Sequence, residues 1–498
     1  MLAPLAAALA LLAPADSVLL RILTIGDFHG ALEPRVDART GRPKGGFPAL
    51  KAAMDRLAAE CGCPVLRLDA GDQMQGTLGS NLVFGRSAVE ALNLLGLDAA
   101  ALGNHDLDWG IDTLRARMAE ARYPWLAANV YDSAAGGRPA WIGPSAVKAA
   151  GRLRVGVIGY ANARTRQMVF ADRVAGLAFL RGKAAFADQL GRLRKEGVDL
   201  TILLTHEGAF CDSLGCTGEI VDLARQLDSS EVQLIVAGHT HSLVNTTVGG
   251  IPIVSARSNG TAVGVADLVA GSGGSRRWQV RVEEVFADRI PADSAAVALT
   301  ARYRPEAERR GREVIATIGD TLPTVGSEYP LGNLIADAQR AAAKADVGLM
   351  NNGGIRRSLL PGPVSYGDLY ELHPFGNEIV VVRVTGAELR AIIEFTVSAG
   401  RPRFHVSGLE VRYDPTGRPG HRIDELRGPG GLPIEAAGRY TLALNNFLAG
   451  GGEGLPIVAA LPATPVGKTD LEALSDYLRR LPQPARGPTD RRYLAVDR

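Results

Sequence analysis

The chain has 498 residues, a formal net charge of +2, 46% hydrophobic residues and 22% charged residues. That length allows two to four domains with sizeable cores, and the near-neutral balance excludes a dominant polybasic footprint for nucleic-acid polymers or membrane surfaces. Four cysteines are too few to staple a fold of this size, so packing must hold it together.

In chain order, Leu2 to Ala13 is small and apolar, and Ala13-Pro14-Ala15 supplies an A-x-A cleavage pattern. Residues 1–15 are therefore expected to be a signal peptide, although a basic n-region is missing. No other run approaches the ~18 apolar residues of a membrane span, so no transmembrane anchor is expected and the location is read as periplasmic or secreted. From Leu19 to about Phe286, apolar β-rich runs alternate with helical patterns. Strands are expected at Leu19–Ile25, Val65–Leu68, Leu153–Ile158, Leu200–Leu204 and Val232–Val236, and Ala49–Glu60 carries Leu50, Met54 and Leu57 at helical spacing. Such repetition argues for an α/β layered region, residues 16–290. Residues 291–312 read as a connecting helix, with Asp293-Ser294 at its N-cap. Residues 313–498 form a second α/β region, with helices expected at Leu331–Lys344, Gly386–Ser398 and Asp470–Leu481 and strands at Val347–Met350, Ile379–Val384, Leu409–Tyr413 and Tyr440–Leu444.

The cysteines allow three pairings; Cys211–Cys216, closing a short Gly-containing loop, is the favoured one.

Histidine is the informative residue. Five of the eight fall in four short segments at strand ends: Asp27-Phe28-His29-Gly30, Gly103-Asn104-His105-Asp106, Thr205-His206-Glu207-Gly208 and Gly238-His239-Thr240-His241. Asp69-Ala70-Gly71-Asp72 adds carboxylates. Functional groups collect outside the carboxyl ends of strands in open α/β sheets, and imidazole with carboxylate suits zinc, manganese, cobalt or iron. Alternate residues of Asp-x-His and His-x-His can address one point. Asp and Asn beside Gly are also ordinary turn formers, so Asp69 and Asp106 receive no role.

The order Asp-x-His, Gly-Asp-x-x-Gln-Gly-Thr, Gly-Asn-His-Asp, His, Gly-His-x-His resembles the calcineurin-like metallophosphoesterases, and Asp72-Gln73-Met74-Gln75-Gly76-Thr77 resembles their 5'-nucleotidase branch. Asn351-Asn352-Gly353-Gly354-Ile355-Arg356, Pro374-Phe375-Gly376-Asn377, Val406-Ser407-Gly408 and Asn446-Phe447-Leu448-Ala449-Gly450-Gly451-Gly452 are similar to that family's C-terminal domain. The resemblance implies an α/β protein: an N-terminal four-layer α/β/β/α metallophosphoesterase domain, the connecting helix, and a C-terminal α/β substrate-binding domain. It implies two divalent ions, one held by Asp27, His29 and His241, the other by Asn104, His206 and His239, with Asp72 bridging. A metal-bound hydroxide would then be the nucleophile. His105, paired with Asp108, would stabilise transition-state charge or the leaving oxygen. Arg356 would fork onto phosphate, Phe447 would stack on a base, and Glu453 stands where the family has a ribose-contacting Asp. Arg403 stands at the family's second aromatic position, with Phe404 one residue later; Arg401 and Arg403 are candidate phosphate contacts or solvated charges. The implied activity is phosphate release from nucleoside 5'-monophosphates, extending to nucleotide diphosphates or UDP-sugars. A 2',3'-cyclic nucleotide phosphodiesterase with 3'-nucleotidase activity, or another ester hydrolase, is the alternative on the same scaffold. A degenerate nucleotide-binding or adhesion protein would lack part of the ligand set.

Overall fold

The computed structural model describes residues 17–37, 39–271 and 275–496; the expected leader, residues 1–15, lies outside them. Two six-stranded sheets lie face to face in the first part of the chain. One runs in the order Arg276–Glu284, Ala262–Ala270, Val18–Ile25, Val65–Asp69, Ala99–Ala101, Trp125–Leu126. The other runs Leu243–Val248, Ile251–Ala256, Leu234–Val236, Leu200–Thr205, Leu153–Tyr160, Ser145–Ala150.

Strand alternation explains the layers. In Val18–Ile25, Leu20 and Ile22 face the second sheet, joining Val155, Ile202 and Leu234 in one apolar core. Leu23 and Ile25 face the opposite way, onto the helices Phe47–Cys61 and Arg86–Leu95 through Leu50, Met54 and Leu92. The outer face of the second sheet is covered by Ala187–Lys195 and Glu219–Ala224 through Leu190, Leu193 and Ile220. A period of two in the strands and 3.6 in the helices therefore builds α/β/β/α. The parallel centre of each sheet is mostly apolar on both faces, with Arg21, bonded to Asp267 at 2.6 Å, and Arg67 as exceptions on the outer face of the first.

The helix Ser294–Gly311 begins where Asp293 caps it, its side chain accepting from the Ala296 N–H at 2.8 Å. Gly311 packs directly against Gly367 of the helix Tyr366–Leu372; a Cβ there would meet Gly367 Cα at 3.2 Å. Beyond it, a five-stranded sheet runs Phe404–Ser407, Val347–Asn351, Arg439–Asn445, Glu378–Thr385, Ala463–Thr469. Helices Pro330–Ala343 and Asp470–Arg480 cover one face and Gly386–Thr396 the other.

Each expected strand and helix is present, displaced by at most three residues at its ends. The antiparallel pair Ala262–Ala270 and Arg276–Glu284, which closes one edge of the first sheet, was not among the expected elements. Both cysteine pairs are joined, Cys61 to Cys63 and Cys211 to Cys216. Among the described residues, no helix is long and apolar enough to cross a membrane.

Candidate metal centre and substrate cleft

The candidate ligands sit where strands end. Asp27 and His29 follow Val18–Ile25, Asp72 follows Val65–Asp69, Asn104 follows Ala99–Ala101, His206 follows Leu200–Thr205, and His239 and His241 follow Leu234–Val236. Both sheets thus deliver their carboxyl-end loops to one place. The loops are bent sharply: Asp27, His29, Asp72, His239 and His241 all have φ between +52° and +72°. Non-glycine residues rarely adopt that region, and each costs about 1–3 kcal/mol unless its surroundings enforce it. Five such residues at one spot mark a site whose side-chain directions outweigh backbone comfort.

Space around them is as tight as the backbone. A Cβ on Gly71 would meet Gly103 N at 2.8 Å and His206 Nδ1 at 2.9 Å, and one on Gly103 would meet the Asp72 N at 2.1 Å. Glycine is required at 103 for close approach. Gly103→Ala should displace the Asp72 turn, at a cost of about 1–3 kcal/mol for overpacking. The expected result is a lower melting temperature together with reduced bound metal. Unchanged metal content in that variant would contradict the crowding argument.

The ligand atoms converge in two groups, Asp27 with His29 and His241, and Asp72 with His206 and His239; within each group they lie within 4.8 Å of one another. His29 Nδ1–H donates to the Gln75 carbonyl at 2.6 Å and His206 Nδ1–H to the Ala70 carbonyl at 2.7 Å. Each bond leaves the Nε2 lone pair aimed inward, the ligating tautomer. His29 Nε2 and His241 Nε2 approach to 3.0 Å. Asp72 Oδ2 lies 3.0 Å from His206 Nε2 and 3.9 Å from His29 Nε2, between the two groups. Asp27 is buried, and both its oxygens accept the His239 N–H at 3.0 Å.

The donor set fits divalent cations. Asn104 Oδ1 is buried without a hydrogen-bonding partner, although such atoms are ordinarily satisfied. Burial raises Asp27 to about 7, opposed by His206 and reinforced by Asp72. Burial would lower His206, but Asp72 and Asp27 carry it up to about 10. Burial would likewise raise Asp72, yet His206, His105 and His29 hold it well below the usual carboxylate range. His239 is pushed down to about 3 by burial and by His206. Two buried carboxylates facing several imidazole nitrogens make a donor set that a divalent cation would satisfy.

His105 stands beside this centre on the turn His105–Leu107. Its Nδ1 is 2.9 Å from Asp108 Oδ2, and its backbone N–H donates to Asp72 Oδ1 at 2.8 Å. From the second half of the chain, Phe375 stacks on the imidazole, with centroids 5.2 Å apart and planes at 30°. Arg356 also crosses over: its Nη2 is 3.1 Å from His241 Nε2 and 3.4 Å from His29 Nε2. Gln75 and Asn81 both donate to the Pro374 carbonyl at 3.1 Å, holding the Phe375 loop against the ligand loops.

Between the halves lies a cleft of ≈ 980 Å³, its wall including Asn104, His105, Asp108, Arg356, Phe447 and Glu453. Glu453 adopts φ 58° and accepts from Asn351 Nδ2 at 2.9 Å. Phe447 packs edge-on against Phe170, centroids 5.9 Å apart and planes at 88°. One expectation is corrected. Phe404 is 0% exposed and turned into the core against Phe395, on the strand face it shares with Val406 and Leu349. Its neighbour Arg403 lines the cleft instead, whereas Arg401 is exposed outside the cleft wall. Phe375, Gln75 and Phe170 were not among the expected site residues. Phe375 and Gln75 lie in Pro374-Phe375-Gly376-Asn377 and Asp72-Gln73-Met74-Gln75-Gly76-Thr77, whereas nothing local distinguishes Phe170.

A model of calcineurin-like phosphoesterases matches residues 20–243, and one of the 5'-nucleotidase C-terminal domain matches residues 314–460. "Endonuclease YhcR" of Bacillus subtilis is 31% identical over 95% of this chain, which spans 40% of that longer protein. A 5'-nucleotidase of Vibrio cholerae is 28% identical, with 92% of this chain and 90% of that protein aligned. The solved 5'-nucleotidase precursor of Thermus thermophilus superposes with a TM-score of 0.86 at 28% identity, covering 96% of this chain and 99% of that one. Matched in both halves and along nearly its whole length, the chain belongs to the 5'-nucleotidase family of calcineurin-like metal-dependent phosphoesterases.

Proposed function

We propose that the chain is a dinuclear-metal phosphohydrolase that releases phosphate from nucleoside 5'-monophosphates, with reach to nucleotide diphosphates and UDP-sugars. The observation that carries this reading is the meeting of both ligand groups, the His105–Asp108 pair and Arg356 at one cleft. Asp27, His29 and His241 would hold one ion, and Asn104, His206 and His239 the other, with Asp72 between them. Bound there, two divalent ions supply Lewis acidity to water and to the phosphoryl oxygens.

The side chains do the rest. Arg356 presents a planar fork to phosphate, which an ammonium cannot match bidentately. Asp108 holds one nitrogen of His105, so the other can stabilise or protonate the departing ester oxygen. Phe375 stacks on the same imidazole and restricts its tilt. Hydrolysis breaks the P–O bond to the alcohol; water adds to phosphorus, and the alcohol leaves with one proton. Glu453 offers a carboxylate to ribose hydroxyls, Phe447 an aromatic face to the base, and Arg403 a cation at the same wall. We take residues 16–290 and 313–498 as the two domains, joined through the helix at 291–312.

A phosphodiester substrate is the second reading, favoured by the relative named as an endonuclease. A hydrolysis panel that follows nucleotide and nucleoside products as well as free phosphate separates the two. AMP, UMP, ADP, UDP-glucose, 2',3'-cyclic AMP and a short oligonucleotide are compared with added manganese, zinc or cobalt. Preference for the 5'-monophosphates supports the first reading; turnover confined to the cyclic or oligomeric diesters rejects it. We also place the protein in an oxidising compartment, periplasmic or secreted, because both cysteine pairs are bonded. Finding four free thiols in protein taken from its native compartment would contradict that placement.

A further inference from the structure

We propose that Asp106 is a positioning residue for the metal centre: its carboxylate sets the spacing between the turn that carries Asp72 and the turn that carries Asn104 and His105. The inference rests on the dinuclear reading above and concerns a residue that neither lines the cleft nor belongs to the ligand groups. Asp106 is 1% exposed. Its Oδ2 accepts the N–H of Asp72 at 3.1 Å and of Gly103 at 3.0 Å. Its Oδ1 accepts the N–H of Gln73 at 2.9 Å and of Met74 at 3.3 Å. One oxygen therefore ties the two turns to each other, and the other fixes the course of the chain just after Asp72.

Chemistry dictates the residue type. Only an ionised carboxylate offers about four lone-pair sites on two oxygens, whereas an amide accepts through one oxygen and presents donors at the other position. In Asp106→Asn, the amide nitrogen would face two backbone N–H groups wherever it was placed. If the oxygen keeps Gln73 and Met74, the link between Asp72 and Gly103 is released. That link matters because Asp72 Oδ1 also receives the His105 N–H at 2.8 Å while Oδ2 lies between the ligand groups. A shift of the Asp72 turn thus moves the shared ligand and the His105 turn together.

A neighbouring carboxylate provides the comparison. Asp69 is also buried, but it accepts only the Gly71 N–H, at 2.7 Å through Oδ1, and its Oδ2 is unpartnered. Asp69→Asn keeps that bond. A general penalty for removing any buried charge behind Asp72 would appear in both variants, whereas a positioning role appears in Asp106→Asn alone.

The experiment is a manganese titration of the full chain, parent, Asp106→Asn and Asp69→Asn, followed by EPR of free and spin-coupled Mn²⁺, with kcat and KM for AMP measured on the loaded proteins. Asp106→Asn should bind the second ion about 10–100-fold more weakly, the range for losing a group that orients metal ligands. It should also lose the spin-coupled signal and lower kcat more than it changes KM, while Asp69→Asn stays near the parent. Equal second-ion affinity and coupling in Asp106→Asn and parent, or equal losses in the two variants, overturns the proposal. Should Asp106→Asn fail to fold, amide exchange on the metal-free parent decides: protected N–H groups at Asp72 and Gly103 support the clamp, and exchange as fast as in exposed loops overturns it. A parent that takes up no pair of ions overturns the dinuclear reading instead, and the amide measurement then judges Asp106 by itself.

Discussion

Phosphate release by His105→Ala should fall about 10²–10⁴-fold, the usual worth of a positioned acid–base group, while bound metal stays at the parent level. The two expectations separate because His105 belongs to neither ligand group. Its imidazole is instead fixed on two sides, by Asp108 at 2.9 Å and by the Phe375 ring 5.2 Å away. Burial would lower its proton affinity, but Asp108 and Asp72 raise it above the ordinary histidine value, which favours a charged ring facing a developing negative charge. KM for AMP should change little, since in the proposed reading Arg356 and the cleft wall would supply ground-state binding. Undiminished turnover would remove His105 from the mechanism, and lost metal would make it a structural support for Asn104.

Asp72→Asn is expected to be more damaging still. Asp72 Oδ2 lies 3.0 Å from His206 Nε2 in its own group and 3.9 Å from His29 Nε2 in the other, and Oδ1 anchors the His105 backbone. The amide can keep one of these contacts but not the charge. Turnover should drop by about 10³-fold or more, the scale of losing a principal electrostatic group, and metal analysis should show less than the parent's content. The difference from His105→Ala is diagnostic: one variant loses chemistry with its ions in place, the other loses both. Parent-like metal content with parent-like turnover would leave the assignment of a shared carboxylate without support.

Much of the fold could be read in advance because the signals were local. Apolar strands ending in Gly, Asp and Asn announce where sheets stop, and the concentration of scarce histidine at those ends marks the site. The two antiparallel strands at 262–284 were not among the expected elements, although Trp278, Val280 and Val282 alternate with Gln279, Arg281 and Glu283 and pack against the core between the sheets. The slot near residue 403 shows a sharper limit. Side chains alternate along a strand, so a one-residue choice decides between cleft and core; Arg403 lines the cleft and Phe404 fills the core. Contacts that join the halves, such as Phe375 on His105 and Arg356 beside His241, link positions far apart in sequence and leave no periodic trace. Nor can composition reveal that five candidate ligand residues occupy left-handed backbone; that cost is visible only where the loops meet. Asp106 is the same case in miniature. As a residue beside a turn it was unremarkable by type, and four backbone donors converging on it give it a purpose.

The proposed centre would take two ions. Its most direct test is titration of chelator-stripped protein with Mn²⁺ while phosphate release from AMP and bound metal are followed together. The prediction is no release without metal, and activity that saturates only as a second ion per chain binds. Full activity in the stripped protein, or activity complete with a single ion bound, would contradict it.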